Sequence, residues 1–164
     1  MNGVREAFRK AGRSVPVMLS VSIENMGAML GGQDISALAE AVEHFNLLAL
    51  GMNCATGPDF MTDHLRTLSQ LTRAFTVCYP NAGMPDENGD YNESPEMVAK
   101  KIARFADEGW VNIVGGCCGT TPDHIRRIAE TVADKSPRRP HKQRRSAVSG
   151  MESLSLDEDR RPLL

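Results

Sequence analysis

Apolar residues along the chain follow two alternating rhythms. Four short runs are nearly continuous in apolar and β-branched residues: PVMLSVSI (16–23), LLALGMN (47–53), FTVCY (75–79) and WVNIVG (110–115). Runs of that length predict strands buried on both faces. Between them the spacing changes to three and four: Ile35, Leu38, Val42 and Phe45 share one face, as do Met61, Leu65, Leu68 and Leu71, then Val98, Ile102 and Phe105, then Ile125, Ile128 and Val132. This spacing predicts amphipathic helices laid on a sheet. Residues 1–13 predict one more helix, with Val4, Phe8 and Ala11 on a face. Helix starts are also legible. Gly57-Pro58-Asp59, Ser94-Pro95-Glu96 and Thr121-Pro122-Asp123 each offer an N-cap, a proline at the first helical position and an acid in the first turn.

Strands alternating with helices imply a parallel sheet covered by helices. The open, doubly wound form would need a G-x-G-x-x-G turn after its first strand, and the sequence has none. The predicted strands recur about every 30 to 36 residues, so eight such units would fill roughly the 250 residues of a (β/α)8 barrel. With 164 residues the chain accounts for about half of one. The expectation is therefore an α/β fold, a partial (β/α)8 TIM barrel running from about helix 4 to helix 8, with four parallel strands, in residues 1–135. From Ser136 onward the periodicity stops. Residues 136–164, with a basic cluster followed by an acidic one, read as a linker or disordered tail.

Charge and composition narrow the partners. A net charge of −2 and a pI near 6.1 argue against a nucleic-acid or membrane-surface protein, which would present a basic face. No apolar run is long enough to span a bilayer, and MNGVREAFRKAG lacks the apolar core of a signal peptide. A cytoplasmic protein is expected. In that setting four cysteines read as reduced thiols, ligands or nucleophiles rather than as a disulfide framework.

Three of those cysteines share a position relative to the strands. Neighbouring side chains in a strand point to opposite faces, so Cys117 and Cys118 can both face one site only where the strand has ended. Gly115 and Gly116 allow a turn there, which places both thiols on the loop at the C-terminal rim, where barrel enzymes keep their active sites. Cys54 follows the strand LLALGMN and belongs at the same level. Three thiolates form a soft ligand set that favours zinc and leaves a fourth position for a substrate, and the chemistry such a site suits is alkyl transfer to a sulfur held as thiolate. Other readings of the same spacing remain open: inert packed thiols, a strained vicinal disulfide, or a nucleophilic cysteine with a histidine base. The last lacks a partner, since none of His44, His64, His124 and His141 stands at a predicted strand end. Cys78 lies inside FTVCY and reads as core or barrel lining.

The segments GMNCATGPD, YPNAGMP and GGCCGTTPDHI, in this order at successive strand ends, closely resemble the zinc-dependent homocysteine S-methyltransferases, and within that family the homocysteine-binding barrel of cobalamin-dependent methionine synthase. The resemblance covers essentially residues 1–135. It implies Cys54, Cys117 and Cys118 as zinc ligands that activate the substrate thiol, homocysteine as substrate, methionine as product, and methylcobalamin on another domain as methyl donor. Asn81, in YPNAG at the next strand end, stands where its oxygen would fill the fourth zinc position or contact substrate, or where it serves as an ordinary turn residue, and Glu24 and Asn25, which end the first strand, would line the pocket or face solvent on a loop. Gly83 and Gly119 would serve backbone shape. The tail resembles a connector toward a folate-binding domain, which makes the cobalamin and folate domains of a larger enzyme expected partners.

The family's first four strands, with an Asp-Gly-Ala-type loop near the amino and carboxylate groups of homocysteine, are not in this sequence. The chain is therefore expected to be inactive and poorly soluble by itself, and to need the remaining half of the barrel or a second copy of itself. Two other readings stand beside the leading one. The chain could be a non-catalytic truncated or split-gene remnant acting as a zinc-binding or interaction module, or part of a cobalamin-independent homocysteine S-methyltransferase.

Overall fold

Proline decides where three of the helices begin. In the computed structural model, which describes residues 1–142 and 145–156, the helices are α1 (Asn2–Ala11), α2 (Ile35–Val42), α3 (Pro58–Leu71), α4 (Pro95–Asp107) and α5 (Pro122–Val132). The last three open at the prolines the sequence marked, where the missing N–H would have had no helical partner. Ser94 caps α4 by accepting from the Met97 amide, and Asp34 caps α2 by accepting from the Ala37 amide at 2.7 Å. The cap of α5 is reinforced by His124. Its Nδ1 accepts the Thr121 amide at 3.1 Å, which leaves Nε2 to donate to the Glu93 carbonyl at 2.9 Å.

The strands are β1 (Met18–Val21), β2 (Ala49–Asn53), β3 (Phe75–Tyr79) and β4 (Ile113–Val114), hydrogen-bonded in the order β1-β2-β3-β4 and all parallel. Parallel strands joined through helices make this the expected α/β architecture, a four-stranded portion of a TIM barrel. Alternation along each strand sorts side chains between two faces. Leu19, Val21, Leu50, Met52, Cys78 and Val114 pack with the helices, against Leu38, Val42, Met61, Leu65, Leu68 and Phe105. A second cluster seats Val98, Ala99, Ile102 and Ile128 beside Ala82. Each such side chain contributes about 1.5–3 kcal/mol by leaving water. Two of the expected helix faces are less buried than their spacing implied. α1 buries none of its residues, and Ile125 on α5 remains exposed. Val4 and Phe8 instead line an apolar groove of about 770 Å³ with Val15, Val17 and Phe75, at the end of the sheet where the strands start. Cys78 belongs to the layer between sheet and helices, fully buried with its Sγ 3.6 Å from Met61 Sδ, and is not a barrel-lining residue.

The described part of the segment after residue 135 is tied to the fold, unlike a solvated tail. The buried guanidinium of Arg138 donates to the carbonyls of Ser69, Thr72 and Ala74. It thereby satisfies acceptors at the C-terminal end of α3 that have no helical partner. β5 (Ala147–Ser149) and β6 (Ser153–Ser155) form an antiparallel hairpin against α2, with Ser149 Oγ donating to the Ala37 carbonyl at 2.7 Å. The composition of this stretch hid its order because the anchoring is polar and has no period. Residues 157–164 lie outside the described residues.

Candidate metal centre

Three loops leaving the C-terminal ends of β2, β3 and β4 are stitched together by backbone hydrogen bonds. The Cys54 amide donates to the Tyr79 carbonyl at 2.9 Å, Asn81 N–H to Thr56 at 3.1 Å, Cys117 N–H to Pro80 at 2.8 Å, and Ala82 N–H to Cys118 at 2.9 Å. This lacing holds three thiols at one point. Cys54 Sγ lies 3.4 Å and Cys117 Sγ 3.9 Å from Cys118 Sγ, and all three sulfurs fall within 4.8 Å of one another. Among the described residues this is the one group of three or more His, Cys, Asp or Glu side chains so arranged. Thiolates on a tetrahedral zinc with Zn–S near 2.3 Å stand about 3.8 Å apart. The trio fits that spacing and that soft donor set, so these residues fit Zn²⁺.

Backbone conformation brings Cys54 into place. Cys54 and Ala55 both have φ of 58°, the left-handed region that residues bearing a Cβ seldom enter. Consecutive residues there cost on the order of 1–3 kcal/mol each, and such strain persists where the surroundings over-determine it. On the opposite loop, β4 ends at Val114, so Cys117 and Cys118 lie beyond the strand as the alternation argument required. Gly115 and Gly116 act there through the space they leave. A Cβ on Gly115 would meet the Tyr79 ring and one on Gly116 would meet Thr120. The left-handed turn falls at Gly119, with φ of 76°.

The thiols are not equivalent. Hydrogen bonds from the Cys118 side chain and from the Ala55 amide hold Cys54 below the ordinary thiol range. Burial pushes Cys117 up to about 11, aided by its neighbours Cys54 and Cys118. Groups this close titrate as a unit. Cys78, by contrast, is raised to about 12 by burial alone and has no part in the cluster.

Asn81 is buried, and its Oδ1 accepts the Cys118 amide at 3.1 Å, so this oxygen already orients one of the thiol loops. Glu24 and Asn25 are exposed on the loop after β1, outside this knot of contacts. Sequence reasoning missed a polar wall on the sheet face opposite the helices. Ser20 Oγ donates to Asn53 Oδ1 at 2.6 Å and Ser22 Oγ to the Asn53 carbonyl at 3.1 Å, immediately before Cys54. The signal was present in the alternation of MLSVS, which sends Ser20 and Ser22 to one side. It also missed Tyr91, whose side chain lies against Gly119, next to Cys118, and whose phenol is raised first by burial and then by the nearby charge of Cys118, with Cys54 and Cys117 adding to it.

The homocysteine S-methyltransferase family model matches residues 1–132. The chain belongs to the homocysteine S-methyltransferase family. The crystal structure of the homocysteine methyltransferase MmuM from Escherichia coli, in its metallated form, superposes with a TM-score of 0.55 at 22% identity. The match covers 76% of this chain and 38% of that one. At that identity the likeness speaks for a shared fold. The thiol trio of this family member thus sits on a four-stranded portion of the barrel, and no helix among the described residues is long and apolar enough to cross a membrane.

Proposed function

We propose that this chain supplies the thiol-bearing rim of a zinc-dependent homocysteine S-methyltransferase, in which a methyl group passes from a donor to the sulfur of homocysteine and gives methionine. The observation that carries the reading is the gathering of Cys54, Cys117 and Cys118 within 4.8 Å at three laced loops, in a chain of this family. Zn²⁺ held by these three thiolates would keep the substrate sulfur deprotonated at neutral pH. The chain's own residues supply position. The left-handed turn at Cys54 and the Asn81 link to the Cys118 amide hold the two thiol loops in register. Ser20 fixes the Asn53 amide so that its NH₂ group is available to an acceptor on the amino-acid end of the substrate. Glu24 belongs to this proposal only as a residue at the mouth.

The donor in this reading is methylcobalamin carried on another domain of a methionine synthase, with residues 1–135 as the half-barrel and 136–164 as the connector toward a folate-binding domain. A cytoplasmic location agrees with free thiols. Closure of the barrel brings four further strands, from a longer chain, a separate chain or a second copy. A second reading, a zinc-binding or interaction module without catalysis, draws support from the two open sheet edges, β1 and β4.

Metal content after purification, with each cysteine changed to serine in turn, tests the proposal. Cys54→Ser, Cys117→Ser and Cys118→Ser each abolish stoichiometric zinc, while Cys78→Ser keeps it. Zinc retained by all three rim variants would sink the reading. Adding methylcobalamin, betaine or S-methylmethionine to zinc-loaded chain with its complementing half then names the donor, and methyl transfer from none of them favours the module.

A further inference from the structure

Glu93, which precedes the cap of α4, ties together the flanks of the three loops that meet at the thiols. Its amide donates to the Ala82 carbonyl at 3.2 Å, and Ala82 in turn donates to Cys118. Its carbonyl accepts from Nε2 of the buried His124, on the helix that follows Cys117 and Cys118. Its side chain lies against the backbone of Gly83, where a Cβ would stand 2.7 Å from Glu93 Cγ. Gly83 lies against Gly57, whose own Cβ would come within 2.8 Å of the Gly83 Cα, and Gly57 caps α3 just after the Cys54 turn. Because Glu93, Gly83 and Gly57 touch with no side chain between them, a shift of the first passes to the backbone behind Cys54. The carboxylate makes a second connection to the same place. Oε1 meets Lys101 Nζ on α4 at 2.5 Å, and that ammonium also reaches Asp59 Oδ2, in the first turn of α3, at 2.7 Å. The Lys101 and Glu93 side chains are only 24% and 19% exposed, which limits screening of the pair. Oε2 is buried with no hydrogen-bond partner among the described residues, so the direction of the carboxylate is set by Lys101.

We propose that Glu93 is a positioning residue of the thiol centre: through Gly83 and the Lys101–Asp59 bridge it holds the Cys54 turn at the distance from Cys117 and Cys118 that a shared cation requires. The inference rests on the reading that the trio holds zinc. Cys54 and Ala55 are the strained part of the site, both left-handed, and such a conformation persists only where its neighbours over-determine it. On the upstream side the Cys54 amide is held by the Tyr79 carbonyl. On the downstream side the restraints are the Thr56 carbonyl, which accepts from the Asn81 amide, and the start of α3, which Glu93 and Lys101 clamp. The other two thiols depend less on the carboxylate, because the Cys117 amide is held by Pro80 and the Cys118 amide by Asn81. Loss of the carboxylate therefore releases Cys54 and spares the pair.

Alkylation of the purified full chain in the presence of Zn²⁺ tests this thiol by thiol. A thiolate bound to the metal reacts slowly with iodoacetamide, and fragmentation mass spectrometry assigns each label to Cys54, Cys117 or Cys118. Glu93→Gln keeps both backbone hydrogen bonds of residue 93 and nearly the same side-chain volume, and removes the charge that Lys101 meets. Labelling of Cys54 should rise about tenfold, the lower end of what loss of an outer-shell partner costs a metal site, while Cys117 and Cys118 change by less than about twofold. Lys101→Gln leaves Glu93 in place, breaks the same bridge and should give the same pattern. It also serves as the test if Glu93→Gln fails to fold. The proposal requires a rise selective for Cys54 in each variant that folds. Equal increases at all three thiols mark general loosening and overturn it, as does an unchanged pattern in either variant or the failure of both to fold. If Zn²⁺ protects no thiol of the unmutated chain, the reading of the trio falls and this inference with it. Protection that is present and that both variants leave intact removes the inference alone.

Discussion

The two faces of the sheet differ in completeness. On the helix-facing side, Leu50, Met52 and Cys78 are sealed beneath α2, α3 and α4, with Leu65, Leu68 and Phe105 closing over them. On the other side, which lines the interior of a closed barrel, Met18 and Phe75 remain 44% and 42% exposed, and Ser20 and Asn53 make a polar pair near the rim. The first face is a finished core and the second is half of an interface. The contrast teaches that stability and chemistry are housed apart. The helix layer holds the strands in order, and their C-terminal loops carry the thiols irrespective of whether the other face is covered.

Substitutions can break that comparison. Leu65→Ala, in the finished core, should cost about 2–5 kcal/mol, read as a lower urea midpoint, while the zinc content of folded protein stays at that of the unmutated chain. A cost below about 1 kcal/mol would mean the helix layer is not what holds the sheet. A smaller effect comes from Cys78. Its thiol is raised to about 12 by burial, above the ordinary 9.0. Its contribution is therefore complete below pH 9 and is lost as pH rises through 12, because the unfolded chain releases a proton that the folded chain retains. Stability at pH 10 should lie about 1 kcal/mol below that at pH 8 on this account, and Cys78→Ala should remove that increment in denaturation series at the two pH values. The smallest effect belongs to the open face. Phe75→Ser should change the stability of the chain alone by no more than about 0.5 kcal/mol. The same substitution should weaken association once the complementing strands are added, so a change alone as large as that of Leu65→Ala would show this face to be already covered.

Much of this organisation was legible in residue order. The switch between nearly continuous apolar runs and a spacing of three to four located all four strands of the parallel sheet, and the proline-acid pairs located the starts of α3, α4 and α5. The register of thiols against strand ends placed Cys54, Cys117 and Cys118 on one rim, because a parallel sheet sends all its strand ends the same way. What escaped were contacts without a period. Arg138 anchors α3 through carbonyls, and no pattern of side chains announces which carbonyls are unpaired. Ile113–Val114 is the whole of the last strand because the Asn112 side chain takes up the Thr76 amide just before it. Tyr91 stood in a stretch of turn-forming residues and looked like part of a loop.

The sequence by itself determined the parallel β/α order, the starts of α3, α4 and α5 and the level at which the cysteines emerge, since these follow from local periodicity and from backbone preferences that act within a few residues. Only the tertiary structure decided that the three sulfurs lie close enough to share one cation, that Asn81 spends its oxygen on the Cys118 amide, and that a tyrosine covers the thiol loop. Those facts depend on distances between loops far apart in the chain. Such distances are fixed by hydrogen bonds and close contacts across three strand ends, which no local pattern encodes.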